Sequence, residues 1–414
     1  MELGPIFRAM TRNKIGVGLI ILEIAATLAI VLNCYAIISG NRERMSIPTG
    51  MAEDEIFIVQ VKSYGESFAD GEYLRQIALE DMRRIQAQPG VISASIISPL
   101  PLINGGSSTQ QIVEGASKAT AIRCPTYSVT PGFLQTMGLE LAAGRGFNEG
   151  DVPPYRDRDE PLPDDRPPTN VIITQDFADA LFPDGNALGK RITSTDGEFV
   201  NVIVGIVDYM YTPYDGGRSG METRIFFFPG VAATQNNTFY MVRADKDAYA
   251  ELFTSIEEDL LATNSERVAT TQSMAEWKEG GVAINRLTIK VLSTVAVLLM
   301  FITGLGIFGM TSFSVAARTR QIGTRRALGA TRQAIVRYFL VENSITSLAG
   351  IALGLVLAFF LNRFLIGQLG FIQPLGITLA LSGFVSLWLL GLLASAAPAL
   401  RAARIPPIIA TKET

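Results

Sequence analysis

The segment nearest to a nucleotide-binding motif is Gly185 to Arg191, which reads GNALGKR. A phosphate-binding loop has four residues between its two glycines and a Ser or Thr after its Lys. This spacing brings backbone N–H groups to the phosphates and a hydroxyl to Mg²⁺. Here three residues separate Gly185 from Gly189, and Arg191 follows Lys190. The segment therefore predicts a turn and no ATP site.

Other groups that could do bond chemistry are scarce. The chain has no His and two Cys, which excludes a His-based triad and the usual zinc and haem sites. The neighbouring acids Asp164-Asp165 and Glu257-Glu258 fit a solvated loop and a polar helix face. A carboxylate-only Ca²⁺ or Mg²⁺ site stays open, although no EF-hand spacing occurs. We expect no catalytic residue, no metal site and no cofactor held by this chain.

Residues 318–332, RTRQIGTRRALGATR, carry five arginines and no acid between two apolar runs. An Arg side chain binds a carboxylate through a planar pair of hydrogen bonds, which Lys cannot reproduce. Apolar residues recur here at approximately helical spacing: Ile322, Leu328, Ile335 and Phe339. Gly323 and Gly329 permit close approach or a bend. The segment is therefore either a topology anchor or a short basic helix that docks onto a partner at the membrane surface.

Four apolar stretches are long enough to cross a bilayer, which takes about 20 residues. They are residues 15–38, 287–316, 338–361 and 376–398. The first is too long for the core of a signal peptide, and no small-residue cleavage pattern follows it. We predict four uncleaved transmembrane helices.

Charge is distributed unevenly around these stretches. Residues 39–286 carry 21 Lys and Arg against 35 Asp and Glu, a net charge of −14, whereas residues 287–414 contain only two acids. Basic residues cluster in three segments, 1–14, 317–337 and 399–414, and the loop 362–375 has only Arg363. Because positive flanks stay in the cytoplasm, we predict that both termini and the loop 317–337 are cytoplasmic. The large region 39–286 and the loop 362–375 then lie outside.

The large exterior region contains two similar β-α-β patterns. Alternating or apolar strands flank an amphipathic helix over residues 56–98, and the order repeats over residues 238–271. This predicts a split subdomain, about 53–100 and 224–275, with a β-rich subdomain inserted at about 101–223. The fold class we expect is an α+β membrane protein with four transmembrane helices and a large extracytoplasmic α+β domain.

Two acids lie within or near the predicted spans, where an ionisable group costs roughly 2.5–3.5 kcal/mol on insertion scales and usually faces a partner. For Glu23, a conformational or substrate contact and a protonated or paired bundle residue both stay open. Glu342 lies four residues into its span and either has such a role or reaches the interface. Gly350 and Gly354 form a small-xxx-small pattern that lets helices pack closely, whether against this chain or a second copy.

The basic segment and the run after it, RTRQIGTRRALGATRQAIVRYFLVENSITSLAGIALG, resemble the signature of MacB/FtsX-type permeases. These are membrane subunits of the ABC transporters called mechanotransmitters, with the approximate pattern R-x-x-E-I-G-[IL]-R-[RK]-A-[LI]-G-A-[TS]. The tail PALRAARIPPIIATKE looks like the family's ending. TPGFLQTMGLELAAGRGF, FADALFPDGNALGKRI and VNVIVGIVDY are similar to its extracytoplasmic domain. The resemblance covers nearly the whole chain in the family's order.

The resemblance implies a non-enzymatic permease subunit in a bacterial inner membrane, with a porter-like exterior subdomain and probable efflux of a small molecule or peptide. Contacts to an ABC ATPase would be made by Arg318, Arg320, Gln321, Ile322, Gly323, Arg325, Arg326, Ala327, Leu328, Gly329 and Ala330, with amphipathic support from residues 4–13. Gln321 departs from the family's Glu, which puts an ion pair at that position in doubt. MacB itself carries an ATPase domain before its first span, where this chain has 14 residues, so ATP and Mg²⁺ are expected on a separate ATPase chain.

Further partners implied by the resemblance are a second permease, as a homodimer or heterodimer, and membrane lipid but no nucleic acid. An efflux role adds a membrane-fusion adaptor and a TolC-like outer-membrane channel. Two alternatives stay open: an FtsX-like signalling subunit that regulates an extracytoplasmic enzyme, and a LolC/LolE-like lipoprotein-releasing permease. FtsX-type exterior domains are usually much smaller, and the loop and tail match MacB better than LolC/LolE. The transported substrate does not follow from these residues.

The first testable prediction concerns ATP turnover. Because GNALGKR lacks the spacing and the hydroxyl of a phosphate-binding loop, the purified chain alone should not hydrolyse Mg-ATP. The measurement is phosphate release in detergent and in proteoliposomes. Turnover by this chain without a partner would contradict the assignment.

Overall fold

The structure is a computed structural model that describes residues 14–102, 106–157, 160, 163, 166–213, 220–264, 266–369, 372 and 374–406. The predicted amphipathic segment 4–13 and the last residues of the tail lie outside the described residues. The helices are α1 (Lys14–Ser46), α2 (Gly71–Gln86), α3 (Phe133–Met137), α4 (Gln175–Leu181), α5 (Tyr249–Thr263), α6 (Met274–Ala317), α7 (Thr319–Ala327), α8 (Arg332–Leu369) and α9 (Ile377–Ala403).

Two units are formed by the chain. The helical unit comprises residues up to Arg44 and from Asn285 onward, and the α/β unit comprises Met45–Ile284. Four helices are long and apolar enough to cross a membrane, namely α1, α6, α8 and α9. Helix α1 continues eight residues beyond the predicted end at 38, and α6 begins 13 residues before the predicted start at 287. Both extensions are polar, so hydropathy alone could not reveal them.

The strands all belong to the α/β unit. They are β1 (Ile56–Ser63), β2 (Val91–Ser98), β3 (Ser108–Val113), β4 (Ile122–Val129), β5 (Leu141–Gly144), β6 (Thr169–Thr174), β7 (Arg191–Ser194), β8 (Val200–Val207), β9 (Phe226–Pro229), β10 (Thr238–Ala244) and β11 (Arg267–Ser273). Pairing runs in the order β11-β1-β10-β2-β4-β3-β7-β8-β6-β9, with β5 on β8 and a further pairing of β4 with β9.

The units β1-α2-β2 and β10-α5-β11 interlock in one part of this sheet. Strand β1 lies antiparallel between β10 and β11, and β10 lies antiparallel between β1 and β2. Each β-α-β unit therefore has a strand of the other unit between its own two strands, as in a split βαβ fold. The repeated pattern in the sequence corresponds to this arrangement, and the predicted α+β fold class with four long apolar helices is confirmed.

Both faces of this part of the sheet are buried. Phe57, Val59 and Val61 belong to a core with residues of α2 and α5, whereas Ile56 and Ile58 belong to a second core with Phe133 and Met137 of α3. A strand that is buried on both faces reads as an almost continuous apolar run. This is why residues 56–61 read IFIVQV.

The inserted strands form a closed circuit. Strands β4, β3, β7, β8, β6 and β9 pair in succession, and β9 pairs back onto β4. The predicted boundary of the insert, at about 223, lies just before β9 at Phe226–Pro229, which completes the circuit of the inserted strands. Helix α3, within the predicted insert, packs instead on the split β-α-β sheet, where Ser93 and Thr136 hydrogen bond at 2.8 Å.

Helix α1 is the most buried of the four long helices. Its residues Ile24, Leu28 and Leu32 pack with residues of α6, α8 and α9 in one apolar core. Polar side chains on α1 bond to neighbouring helices: Thr27 to Thr303 at 2.7 Å, and Asn33 to the Ala358 carbonyl at 3.2 Å. Satisfying polar groups within the bundle is necessary because hydrocarbon offers no hydrogen bonds.

A buried ion pair in the α/β unit joins the two β-α-β units. Arg267 on β11 donates to Asp81 on α2 at 2.6 Å, and the two side chains are 2% and 3% exposed. Tyr240 also donates to Asp81 at 2.9 Å, and Arg267 donates to the Leu260 carbonyl at 2.6 Å. Removing one member of such a pair leaves the other charge buried without its partner.

The second prediction is that Arg267→Met lowers the free energy of unfolding of the α/β unit by about 3–5 kcal/mol. Arg191→Met, in the exposed Arg191–Glu114 pair, is the control and should cost about 1 kcal/mol or less. Unfolding by urea is followed in the full chain by Trp277 fluorescence, with Trp388→Phe removing the other tryptophan. Equal losses in the two variants would contradict the prediction.

Candidate functional site: the basic helix between α6 and α8

The basic segment folds as helix α7, which lies in sequence between two of the long apolar helices. Its N-cap residue Arg318 has φ −112° and ψ 14°, which separates α7 from α6. Ile322 and Gly323 are buried. Ile322 belongs to an apolar cluster with Val315, Ile335, Phe339, Ala399, Ala402 and Ala403. Thus α7 packs one face against the ends of α6, α8 and α9.

Leu328 does not share this face, although its spacing suggested that it would. Its side chain is 83% exposed. Leu328 is the C-cap residue of α7, so the chain already leaves the helix there and the side chain no longer follows the helical repeat. Of the four apolar residues at helical spacing, Ile322, Ile335 and Phe339 are buried and Leu328 is not.

Gly329 ends the helix. Its φ is +96°, in the region that favours glycine. The Gly329 N–H donates to the Arg326 carbonyl at 3.1 Å, and the Ala330 N–H donates to the Arg325 carbonyl at 3.0 Å. These two bonds form a Schellman motif, which turns the chain sharply into α8. A Cβ at Gly329 would meet no atom within 4 Å, so the requirement for glycine comes from the backbone angle.

Arg318 is held by an acid of the next helix. Its Nη1 lies 3.0 Å from both carboxylate oxygens of Glu342 on α8. The two side chains are only 18% and 13% exposed. Glu342, noted from the sequence as an intramembrane acid, is therefore paired within this chain. The pair ties the start of α7 to the first part of α8.

Arg326 is held by the backbone of the last long helix. Its Nη1 donates to the carbonyls of Ala403 at 3.0 Å and Ile405 at 2.8 Å. These carbonyls lie at and just after the end of α9, where the helix has no further N–H groups to offer them. Arg326 therefore joins α7 to α9, which is 50 residues further along the chain than α7.

The opposite face of α7 is exposed. It presents two arginines, two small residues, an amide and an apolar side chain: Arg320, Gln321, Thr324, Arg325, Ala327 and Leu328. The Arg325 guanidinium lies 5.0 Å from the centre of the Tyr338 ring, which keeps it beside α8. The five arginines thus differ: Arg318 and Arg326 bind within the chain, and Arg320, Arg325 and Arg332 are exposed.

The remaining residues singled out from the sequence lie within the helix bundle. A Cβ at Gly350 would lie 2.8 Å from the Ile24 Cβ, and one at Gly354 would lie 3.0 Å from the Ala25 Cα. The small-xxx-small pattern of α8 therefore packs against α1 of the same chain. The Glu23 carboxylate lies against Gly306 of α6, where any Cβ would overlap it.

Several contacts had no clear signal in the sequence. Asn362 donates to Asn33 at 3.2 Å and accepts from the Leu375 N–H at 3.2 Å. In the α/β unit, Lys278 of α6 contacts both oxygens of Glu53 at 3.0 and 2.8 Å. The polar residues themselves stand out in or beside apolar runs, but their partners are too distant in sequence to be inferred.

The segment Gly185–Arg191 is a turn whose backbone is already hydrogen bonded. The N–H groups of Gly185, Gly189 and Lys190 donate to the carbonyls of Phe182, Ile203 and Ala187 at 2.7–3.1 Å. They are therefore not directed at a phosphate. Among the described residues, no group of three or more His, Cys, Asp or Glu could hold a metal ion.

Comparison with known families places both units. Residues 18–258 match the MacB-like periplasmic core domain, and residues 293–407 match the FtsX-like permease C-terminal domain. The chain is similar to the macrolide export ATP-binding/permease proteins MacB of Psychrobacter cryohalolentis (24% identity, 97% of this chain and 57% of that protein) and Marinobacter nauticus (25%, 97% and 59%). It spans less than two thirds of the length of these relatives.

Two solved structures also resemble the chain. The periplasmic region of MacB from Actinobacillus actinomycetemcomitans has 16% identity and a TM-score of 0.34, covering 56% of this chain and 94% of that one. The extracellular domain of the noncanonic ABC-type transporter YknZ from Gram-positive bacteria has 12% identity and a TM-score of 0.30, with 51% and 99% covered. The family assignment rests on the domain match over more than half of the sequence. The chain therefore belongs to the MacB/FtsX-like family of ABC transporter permeases.

Proposed function

We propose that this chain is the permease subunit through which a separate ATPase chain drives movement of the extracytoplasmic α/β domain. The observation that carries the proposal is the two-sided character of α7. One side is fixed to α8 and α9 by Ile322, Arg318 and Arg326, and the other side is exposed and basic. A force applied to the exposed face of a helix fixed in this way would be transmitted to α8 and α9.

The exposed face suits a partner with acidic groups. Residues 318–332 contain no acid, and exposed guanidinium groups bind carboxylates with defined geometry. The positive-inside rule puts α7 and both termini in the cytoplasm, where ATP is available. ATP and Mg²⁺ would be bound by the ATPase, and Arg320, Gln321, Arg325 and Leu328 would contact it. Gln321 would contribute a hydrogen bond where related chains have Glu.

Helix α6 is the proposed route to the exterior. It is continuous from Met274 to Ala317, and its first turns are fixed within the α/β unit. Trp277 donates to the Pro101 carbonyl at 2.9 Å and packs near Phe239, and Lys278 pairs with Glu53. We call Glu53, Trp277 and Lys278 the exterior joint. The last residue of α6 is separated from α7 in sequence by Arg318 alone, so α6 is the segment through which we propose that movement of α7 reaches the exterior joint.

Export is the direction of transport that the relatives favour, because the MacB proteins that the chain resembles are named for macrolide export. A pair of permeases with two ATPase chains in the bacterial inner membrane would form the working unit. Export across an outer membrane would add a membrane-fusion adaptor and a TolC-like channel. Purification of the complex distinguishes this role from the alternatives. Recovery of a cell-wall hydrolase or a lipoprotein carrier with the permease, in place of an adaptor, would contradict the export role.

The third prediction tests the bend at Gly329. Gly329→Val forces a β-branched residue to φ +96°, at a cost of about 1–2 kcal/mol, which shifts α7 relative to α8. The variant should insert with normal orientation but lose most of its association with the partner ATPase. Gly329→Asn is the matched control, because Asn tolerates this backbone region, and it should remain close to wild type.

Complex recovery from reconstituted membranes and Mg-ATP hydrolysis are the measurements for Gly329, with cysteine labelling to verify topology. Normal recovery and normal hydrolysis in the Val variant would reduce α7 to a topology anchor. If the Val and Asn variants both lose association with the ATPase, a property of Gly329 other than its backbone angle is also required at this position.

The fourth prediction concerns the exterior joint. Lys278→Met removes a half-buried ion pair worth about 1 kcal/mol or less, so folding and ATP hydrolysis should persist. The change in amide hydrogen exchange that a non-hydrolysable ATP analogue produces in the α/β unit should fall by more than half. Lys290→Met, an exposed lysine on the same helix, is the control. An undiminished change in the Lys278 variant would exclude the joint from the route.

A further inference from the structure

The last part of the fourth long helix, α9, contains a proline that interrupts its backbone hydrogen bonds. Pro398 lies inside α9, five residues before its end. Proline has no N–H, so the carbonyl of Ala394 lacks its usual helical partner, and helices bend most readily at such positions. In the turn before it, the Ser395 hydroxyl donates to the carbonyls of Gly391 at 2.9 Å and Leu392 at 3.1 Å. Residues 399–405 therefore form a terminal segment whose backbone connection to the rest of α9 is loosened.

This terminal segment is held by α7. Arg326 donates to the carbonyls of Ala403 and Ile405. Ala399, Ala402 and Ala403 are buried in the same cluster as Ile322 of α7. The contact therefore combines a charged hydrogen-bond donor at the negative end of a helix dipole with close apolar packing. It fixes the segment on the far side of Pro398 to α7.

The Arg326 guanidinium makes this contact through a single terminal nitrogen. One terminal nitrogen reaches two carbonyls of different residues, and Nε is buried without a hydrogen-bond partner among the described residues. A buried N–H without a partner costs free energy. Solvation of the guanidinium therefore does not explain why the Arg326 side chain lies here. A Lys ammonium could contact the same carbonyls only as a point charge without the planar group. Topology anchoring requires charge alone and does not explain this placement.

We propose that Arg326 is a positioning residue that makes residues 399–405 part of the coupling element. Helix α7 and this terminal segment move as one body, and α9 bends at Pro398. The fourth span, which does not adjoin α7 in sequence, thereby receives the movement directly. The proposal rests on the proposed function, because an ATPase must displace α7, but the joining of α7 to the segment is a property of this chain alone.

The experiment measures distances between spin labels in the full chain, reconstituted in nanodiscs, with Cys34 and Cys124 replaced by Ala. One pair of labels lies at Thr324 and Arg404, on α7 and the terminal segment, and a second pair lies at Leu393 and Arg404, across Pro398. All three positions are exposed. The variants are Arg326→Gln and Arg326→Lys, and Arg320→Gln on the exposed face of the same helix is the matched control.

We expect the Thr324–Arg404 distance distribution to be narrow in the wild-type permease and in Arg320→Gln, and to broaden in Arg326→Gln without any ATPase present. With the ATPase and a non-hydrolysable ATP analogue, the Leu393–Arg404 distance should shift in wild type while the Thr324–Arg404 distance stays constant. Pro398→Ala restores the missing backbone bond and should reduce the Leu393–Arg404 shift. Coupling of ATP hydrolysis should weaken by about two- to thirtyfold in Arg326→Gln, with Arg326→Lys in between.

The outcomes separate this inference from the proposed function. If the wild-type permease binds no ATPase but Arg326→Gln still broadens the distribution, the joining of α7 to α9 stands and the proposed function fails. If the ATPase binds and is coupled normally in Arg326→Gln, with unchanged distances, Arg326 is only a topology anchor and the inference is overturned. A Thr324–Arg404 distance that changes with nucleotide in wild type would also overturn it.

Discussion

Hydrocarbon cannot form hydrogen bonds, and this constraint determines most of what is seen in the helical unit. Polar groups at bilayer depth are stabilised by partners within the protein. Thr27 bonds to Thr303, Asn33 bonds to the Ala358 carbonyl, and Asn362 bonds to Asn33. These contacts connect α1 to α6 and α8. They require close helix packing, which Gly350 and Gly354 allow by bringing α8 against the backbone of α1. These contacts restrict sliding of α1 past α6 and α8.

At the end of the bundle next to α7, the same constraint acts on charged groups. Arg318 pairs with Glu342, and Arg326 covers the open carbonyls at the end of α9. Both arginines satisfy groups that would otherwise be poorly solvated near the apolar cluster around Ile322. The exposed arginines do not bind groups at the helix ends in this way, and their charge remains available to a partner. A run of similar residues therefore contains two classes, those that hold α7 in place and those that face outward. Residue type alone does not distinguish the classes, because only the fold determines which side of α7 is covered.

Local periodicity was enough to predict much of the fold. The alternation in residues 56–62 and the amphipathic stretch after it correspond to β1 and α2, and the second β-α-β pattern corresponds to β10, α5 and β11. The predicted insert boundary, at about 223, lies just before β9, because β9 pairs with β4, about 100 residues earlier, and no local pattern records such a pairing. Leu328 departs from the buried apolar repeat for a different reason, since the helix ends before the repeat reaches it. The contacts of Arg318 and Arg326 span 24 and 77 residues, so the segment could be recognised from the sequence but the roles of its arginines could not.

The four long helices differ in how they can carry a displacement. Helix α6 has 44 residues and no proline. Its length is roughly 66 Å, which is more than twice the roughly 30 Å thickness of a hydrocarbon core. A long unbroken helix transmits movement along its axis. Helix α9 is shorter and contains Pro398, so a movement applied to its end produces bending. Because α7 touches the ends of both helices, one displacement of α7 would have two different consequences: transmission along α6 and a change of direction within α9. Under the proposed function, mechanical coupling would therefore depend on where the backbone of these helices is continuous and where it is interrupted.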